Sequence, residues 1–309
     1  MNVIEVRNLK KYYGDVKAVD GISFEVNEGE IFGMVGPNGA GKTTTIECIE
    51  GLRKPDEGEI RVLDLNPQKD REKIYKLISI QLQETSYQDK IKVYEICEFF
   101  SSFYSNPLDY KKLLDKFGLH EFRNSYVMKL SGGQKQKLSI LLALLPDPRI
   151  VFLDEITTGL DPKARREMWE MVKDLKKEGR VVFLTTHYME EAEVLCDRVA
   201  IVDYGRIVAL DTPEELVTKS GIDEMVSFEV DMIDVSKLRE VKGVSVVNFK
   251  DGEVVLYGKG GDLLKGIVDY LNANRLTFRN LRTKKPNLED TFLKLTGKKY
   301  EEEKDEDVN

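Results

Sequence analysis

Cysteine is scarce in this chain: 309 residues hold three, Cys48, Cys97 and Cys196, far apart and each set in an apolar pattern. An odd and scattered set offers neither a disulfide framework nor ligand spacing for a metal, and it suits a reducing compartment. Long apolar runs are missing as well. The longest, Ile140 to Leu145, falls far short of the roughly 20 residues that a spanning helix needs. The start, Met1-Asn2-Val3-Ile4-Glu5, lacks a basic stretch followed by an apolar one, so no leader is expected. A cytoplasmic protein is expected, and any link to a membrane has to come through a partner. Basic surplus is also absent: the formal net charge is -8, which argues against general affinity for nucleic acid or anionic lipid. Much of the acidity lies in a tail, residues 298–309, containing Glu301-Glu302-Glu303-Lys304-Asp305-Glu306-Asp307; it is expected to be disordered.

What is present describes a soluble protein with a charged surface, 41% hydrophobic and 33% charged, long enough for two domains. Its centre is Gly36-Pro37-Asn38-Gly39-Ala40-Gly41-Lys42-Thr43-Thr44, placed between the apolar run Glu30 to Val35 and a helical pattern from Thr45 to Gly51. A triphosphate needs several backbone N–H groups at close range, and glycines let the main chain turn inward with no Cβ in the way. Lys42 is suited to the β- and γ-phosphates, and the Thr43 hydroxyl to Mg²⁺. The helix that follows adds its N-terminal partial charge. Such a P-loop indicates a nucleotide and leaves the family open.

Before the loop, residues 2 to 7 and Ile22 to Val26 alternate as strands. Between them lies Lys11-Tyr12-Tyr13-Gly14, with an aromatic just ahead of a glycine. In this the chain first resembles the ABC ATPases, where an aromatic at such an offset stacks on adenine; Tyr13 matches, with Tyr12 as the fallback. A tyrosine face stacks on any flat purine, so base selectivity would be loose. Gly58 to Leu63 reads as a further strand of the same antiparallel sheet. Ile78 to Glu84 reads as a strand entering a loop that resembles the Q-loop of the family. Gln81 and Gln83 compete there, and Gln83, followed by Glu84, matches better. An amide oxygen ligates Mg²⁺ without adding charge, which suits a group that senses the γ-phosphate and withdraws.

Residues 93 to 128 read as helices, Val93 to Tyr104 and Tyr110 to Phe117, parted by Asn106-Pro107 and Gly118. In the family this segment, here about residues 85 to 145, is a helical arm carrying the signature. Leu130-Ser131-Gly132-Gly133-Gln134 is that signature intact, opening an apolar helix that runs to Pro146. Ser131, Gly132, Gly133 and Gln134 at a helix start form a second anion cradle, one with no lysine. Ile150 to Glu155 is a buried-strand pattern ending in two acids. Asp154 matches the Walker B carboxylate that holds Mg²⁺, and Glu155 the residue that polarises the attacking water. Thr157 to Pro162 resembles the D-loop, with Asp161 and Pro162 also placed as N-cap and first helical residue. His187, after the strand Val181 to Thr185, matches the γ-phosphate-contacting histidine. The other histidine, His120, has no motif around it and reads as a surface residue.

The resemblance covers roughly the first 220 residues and implies an α/β P-loop cassette with a mixed sheet core, an antiparallel β subdomain and a helical arm. Residues 221 to 297 change to short alternating strands with one amphipathic helix, expected as a small βαββαβ-like α+β domain: strands at Val226 to Asp231, Val244 to Phe249, Val254 to Tyr257 and Leu276 to Leu281, and a helix from Asp262 to Asn274. Lys285 to Gly297 resembles the close of the accessory domain on ATP-binding subunits of bacterial and archaeal exporters. The implied function is ATP hydrolysis with Mg²⁺ as cofactor, driving transport. The implied partners are a second ABC subunit, homodimer or close paralogue, and an integral-membrane permease that holds the chain at the inner face of the cell membrane. A head-to-tail pair would clasp each ATP between Lys42 of one subunit and Ser131 to Gln134 of the other. Two further readings are a soluble ABC ATPase acting on ribosomes or DNA, against which stand the single cassette and the lack of a coiled-coil insertion, and a nucleotide-gated module without turnover, against which stand Glu155 and His187.

Overall fold

The computed structural model of the chain describes residues 1–81, 90–230, 233–250, 252–258 and 263–296, in two compact units, Met1–Pro213 and Glu214–Asn309. Within the second unit Lys294 donates to the Ser220 carbonyl at 2.6 Å. The acidic tail lies outside the described residues. No helix among the described residues is long and apolar enough to cross a membrane.

The first unit opens with β1 (Asn2–Tyr13), β2 (Val16–Asn27), β3 (Ile31–Val35), α1 (Lys42–Ile49), β4 (Glu57–Val62), the single turn α2 (Arg71–Ile74) and β5 (Ile78–Gln81). A helical arm follows with α3 (Val93–Ser101), α4 (Tyr110–Lys116) and α5 (Gly132–Leu144). The chain then alternates through β6 (Ile150–Asp154), α6 (Pro162–Lys177), β7 (Val181–Thr186), α7 (Met189–Leu195), β8 (Arg198–Asp203) and β9 (Arg206–Asp211). Strands β2-β1-β4 make an antiparallel sheet, and β5-β6-β7-β3-β8-β9 make a second sheet that is parallel except for β9. This is the mixed core and antiparallel subdomain expected from the sequence.

Burial explains the two kinds of strand. One face of β2 is covered, so apolar and polar residues alternate; β3 and β7 are covered on both faces and are buried throughout. A row of rings joins the sheets. Phe24 of β2 stacks on Phe32 of β3 at 5.1 Å, Phe32 meets Phe183 of β7 at 5.3 Å, and Phe183 meets Phe152 of β6 at 5.6 Å. Each such ring stabilises the fold by about 1.5–3 kcal/mol through burial. Register then sets the site: Val35 pairs with Thr186, and Thr185 pairs with Asp154. The loops after β3, β6 and β7 therefore leave along one edge, where parallel α/β sheets hold their ligands.

The second unit contains α8 (Pro213–Ser220), β10 (Glu224–Glu229), α9 (Val235–Leu238), β11 (Val244–Lys250), β12 (Glu253–Gly258), α10 (Leu263–Ala273), β13 (Arg279–Lys284) and α11 (Leu288–Thr296). Its sheet is antiparallel, in the order β11-β12-β10-β13. Val226, Phe228, Val254 and Leu256 on one face meet Leu263, Ile267 and Leu271 of α10 in a core of their own.

Local boundaries differ from the sequence reading in instructive places. The last strand is Arg279–Lys284 and not Leu276–Leu281, because Leu276 and Phe278 pack on the core before the polar edge strand begins its ladder with β10. Tyr12 and Tyr13 lie inside β1 and not between strands. Helix α3 stops at Ser101 and not Tyr104, where the Ser102 hydroxyl donates to the Phe99 carbonyl at 2.6 Å and closes the last turn.

Candidate active site

The loop after β3 is shaped by two glycines that admit no side chain. At Gly36 a Cβ would stand 2.2 Å from the Val202 carbonyl oxygen, and at Gly41, with φ of 101°, 2.1 Å from that of Ala18. Backbone from β2 and β8 thus closes on the loop from outside. The loop is tied down further: the Ala40 N–H donates to the Pro37 carbonyl at 3.1 Å, and the Gly205 N–H donates to the Ala40 carbonyl at 3.0 Å. Asn38 and Gly39 remain exposed at its tip. Helix α1 begins at Lys42, three residues earlier than the periodicity indicates, with no side chain capping it. Its first N–H groups are left for an anion. Thr43, exposed, and Thr44, half-buried, sit in that first turn.

Lys42 lies beneath the loop, 5% exposed, donating to the Gly36 carbonyl at 2.8 Å and the Pro37 carbonyl at 3.2 Å. Its Nζ is 3.8 Å from Glu155, whose other carboxylate oxygen is 3.4 Å from His187 Nδ1. Burial pushes the Lys42 ammonium down from its ordinary pKa, while Glu155 and Asp154 pull it back up. His187 holds the Glu155 carboxyl below its ordinary value, with Lys42 acting in the same sense and burial against. Glu155 is therefore a carboxylate at neutral pH, fit to accept a proton or a hydrogen bond from water. Its backbone is left-handed, with φ of 49°, and its N–H donates to the Thr185 carbonyl at 3.1 Å. That is a strained conformation held by the adjacent strand.

Asp154 ends β6 beside Glu155 and accepts a hydrogen bond from the Thr185 hydroxyl. Burial raises its pKa, with the Thr185 hydroxyl opposing. A half-buried acid in the field of Lys42 supplies the kind of hard oxygen that Mg²⁺ takes. The hard oxygens of Asp154 and Thr43, with a loop whose backbone closes too tightly for a Cβ at Gly36 and Gly41, fit a magnesium nucleotide.

The signature forms a second helix start. The Ser131 hydroxyl accepts from the Gln134 N–H at 3.3 Å, and the Gln134 side chain accepts from the Ser131 N–H at 2.9 Å, a reciprocal capping box. Ser131 and Gly132 are exposed, and Gly133 passes close to α6, where a Cβ would stand 3.1 Å from that of Ala164. Asp161 caps α6, accepting from the Lys163 N–H at 2.9 Å and the Ala164 N–H at 3.0 Å.

Of the two tyrosines, Tyr12 is engaged, its hydroxyl donating to Asp20 at 2.9 Å. Tyr13 is 41% exposed, with the Arg53 guanidinium 5.4 Å and the Lys11 ammonium 5.6 Å from its ring centre. Gln81 is buried at the end of β5, in register with Leu153. Gln83 lies outside the described residues. His120 is exposed on the arm, 2.6 Å from Asp115.

A family profile described as ABC transporter matches residues 19–158. The linearmycin resistance ATP-binding protein LnrL of Bacillus subtilis is 33% identical over 307 residues, covering 96% of this chain and 99% of the relative. The chain belongs to the ATP-binding proteins of ABC transporters. Nod factor export ATP-binding protein I of Rhizobium etli is 35% identical over 315 residues, covering 97% of this chain and 95% of that one. Among solved structures, the dimeric post-hydrolysis ATP-binding cassette MJ0796 with ADP and Pi matches with a TM-score of 0.60 and 25% identity, covering 68% of this chain and 98% of that chain. ABC ATP-binding proteins are ATPases that power transport, and this chain is one of them.

Sequence reasoning passed over three residues at this ABC site. Thr185, which holds Asp154, looks like any strand threonine. Glu191 is fully buried in the first turn of α7; its spacing of four from Leu195, on the inward stripe, was the available signal. Glu50, at the end of α1, is 2% exposed, and burial with Asp154 and Glu47 nearby pushes its carboxyl up to about 8.

Proposed function

We propose that the chain is the ATP-hydrolysing subunit of an exporter, working as a head-to-tail pair under a membrane permease. The observation that carries this reading is the convergence of Lys42, Asp154, Glu155 and His187 at one end of the parallel strands, while the signature cradle sits exposed on the arm. The relatives point the same way, since both are named for export or resistance and match nearly the whole chain. The reading places the protein in the cytoplasm, held at the membrane through its permease.

Within this reading, backbone N–H groups of Gly36 to Thr44 and the Lys42 ammonium hold the phosphates of ATP, and the Tyr13 face takes the adenine. Thr43 and Asp154 hold Mg²⁺, joined by Gln83 when the γ-phosphate is present. Mg²⁺, when bound, offsets the phosphate charge. Glu155 accepts a hydrogen bond from water and aligns it for in-line attack, and His187 contacts the γ-phosphate. Ser131 to Gln134 of a second subunit close the other side, and Asp161 lies at the seam. A phosphate-release assay and size-exclusion chromatography test this directly. Glu155→Gln retains ATP binding, loses turnover by on the order of 10³-fold and accumulates closed dimers; undiminished turnover in that variant would sink the assignment.

A further inference from the structure

Outside the groups already assigned, the strongest feature is a buried carboxylate one turn beyond His187. Glu191 is fully buried, although a glutamate on a surface helix normally reaches solvent. Its Oε1 accepts from the Trp169 indole N–H of α6 at 3.2 Å. The hydroxyls of Thr186 and Thr157 and the charge of Arg165 also lie close enough to favour its charged form, against the burial that disfavours it. They come from three different segments. Thr157 lies two residues after Glu155, Thr186 directly precedes His187, and Arg165 and Trp169 belong to the helix that Asp161 caps.

The same cluster reaches the reacting groups by stacking. The Arg165 guanidinium lies 4.5 Å over the Tyr188 ring, and that ring is 4.1 Å from the ring of His187. The Tyr188 N–H donates to the Thr186 hydroxyl at 2.9 Å. Glu191 Oε2, Thr157 Oγ1 and Arg165 Nε are buried and make no hydrogen bond among the described residues. A cluster kept only for stability would be better served by apolar side chains, because burying a carboxyl and leaving an oxygen unsatisfied is costly. What such a group does provide is a defined geometry among the elements it touches.

We propose that Glu191 is a positioning residue, locking the turn that carries Glu155 to the loop that carries His187, so that carboxylate and imidazole are placed as one unit. It does not touch nucleotide. Its effect passes through the close approach of Thr157, without a hydrogen bond, on one side, and through Trp169 and Arg165 of α6 and then Tyr188 on the other. This rests on the proposed roles of Glu155 and His187.

The test is steady-state ATPase kinetics on the full chain, with ATP binding and melting temperature measured alongside. Glu191→Leu lowers kcat by about tenfold or more and leaves KM for ATP within about twofold. Glu191→Gln keeps an acceptor for Trp169 and a polar group of the same shape beside Thr157, and restores kcat to within about threefold of the parent. Thr157→Val lowers kcat by about threefold alone and adds nothing in the Glu191→Leu background, the signature of a shared link. Should Glu191→Leu fail to fold, Thr157→Val and Glu191→Gln carry the test by themselves. A parental kcat in Glu191→Leu or in Thr157→Val, additive losses in the double variant, or a Gln variant as slow as the Leu variant overturns the proposal. Glu155→Gln is assayed in parallel. If it is dead while Glu191→Leu is fully active, this inference alone fails; if it is fully active, the reading beneath it fails.

Discussion

The two anion cradles of this chain are built from the same parts and finished differently. The P-loop is sealed by its own subunit: backbone from β2 and β8 presses on Gly41 and Gly36, and Lys42 is buried beneath with Glu155 against it. The signature is left open, with Ser131 and Gly132 exposed, no cation in the motif, and a capping box that uses only the Ser131 and Gln134 N–H groups. A cradle with a lysine can hold a triphosphate alone. One without can only complete a site whose charge is neutralised elsewhere, so the difference asks for a second ABC subunit.

The comparison breaks first at Lys42. Lys42→Ala weakens ATP binding and lowers turnover by on the order of 10²-fold or more, read by equilibrium nucleotide binding; parental affinity would remove the lysine from the cradle. Gly132→Asp comes next. The nearest atom to a Cβ there is Leu160 Cδ2 at 3.8 Å, so the side chain fits, and an acid at the first helical position does not weaken the helix. It does place negative charge where phosphate must arrive. Turnover falls by about 10²-fold while ATP binding to the single subunit stays within about threefold, the reverse of the Lys42 pattern. Tyr13→Ala sharpens the first cradle: loss of one stacking face weakens ATP binding by about five- to tenfold, whereas Tyr12→Phe leaves it unchanged.

The smallest effect concerns the floor of the P-loop helix. Glu50 has its pKa raised from 4.5 to about 8 by burial first and by Asp154 and Glu47 second. The folded chain thus holds the proton more tightly than the unfolded one. That contribution is complete below the ordinary carboxyl value and is lost as the pH rises through about 8. Glu50→Gln carries no such proton, so its melting temperature gains on the parent between pH 5 and pH 8.5, by on the order of 5 °C. Parallel melting curves across that range would contradict the assignment.

Legibility followed the range of the forces involved. Both cradles could be read because close approach of a backbone demands glycine at fixed local spacing, and Asp154 and Glu155 because a buried strand ending in two acids interrupts an apolar pattern. The early start of α1 could not, since the helix takes its first turn from loop backbone and carries no capping side chain. The displacement of β13 has a related origin. Leu276 and Phe278 produce the apolar signal of a strand but serve the core from outside the ladder, while the paired residues are polar and at an edge. Glu191 and Thr185 act across segments distant in sequence, and only the folded chain brings Thr157, Arg165 and Trp169 around one carboxylate.

The claim that each ATP is clasped by two copies is tested most directly by mixing two inactive chains. Lys42→Ala supplies an intact signature and Gly132→Asp an intact P-loop, so their mixed dimer holds one complete site. ATPase activity is predicted to reappear on mixing and to rise with total protein concentration. A mixture as inactive as its components, beside a parent chain whose specific activity does not change on dilution to the monomer, would contradict it.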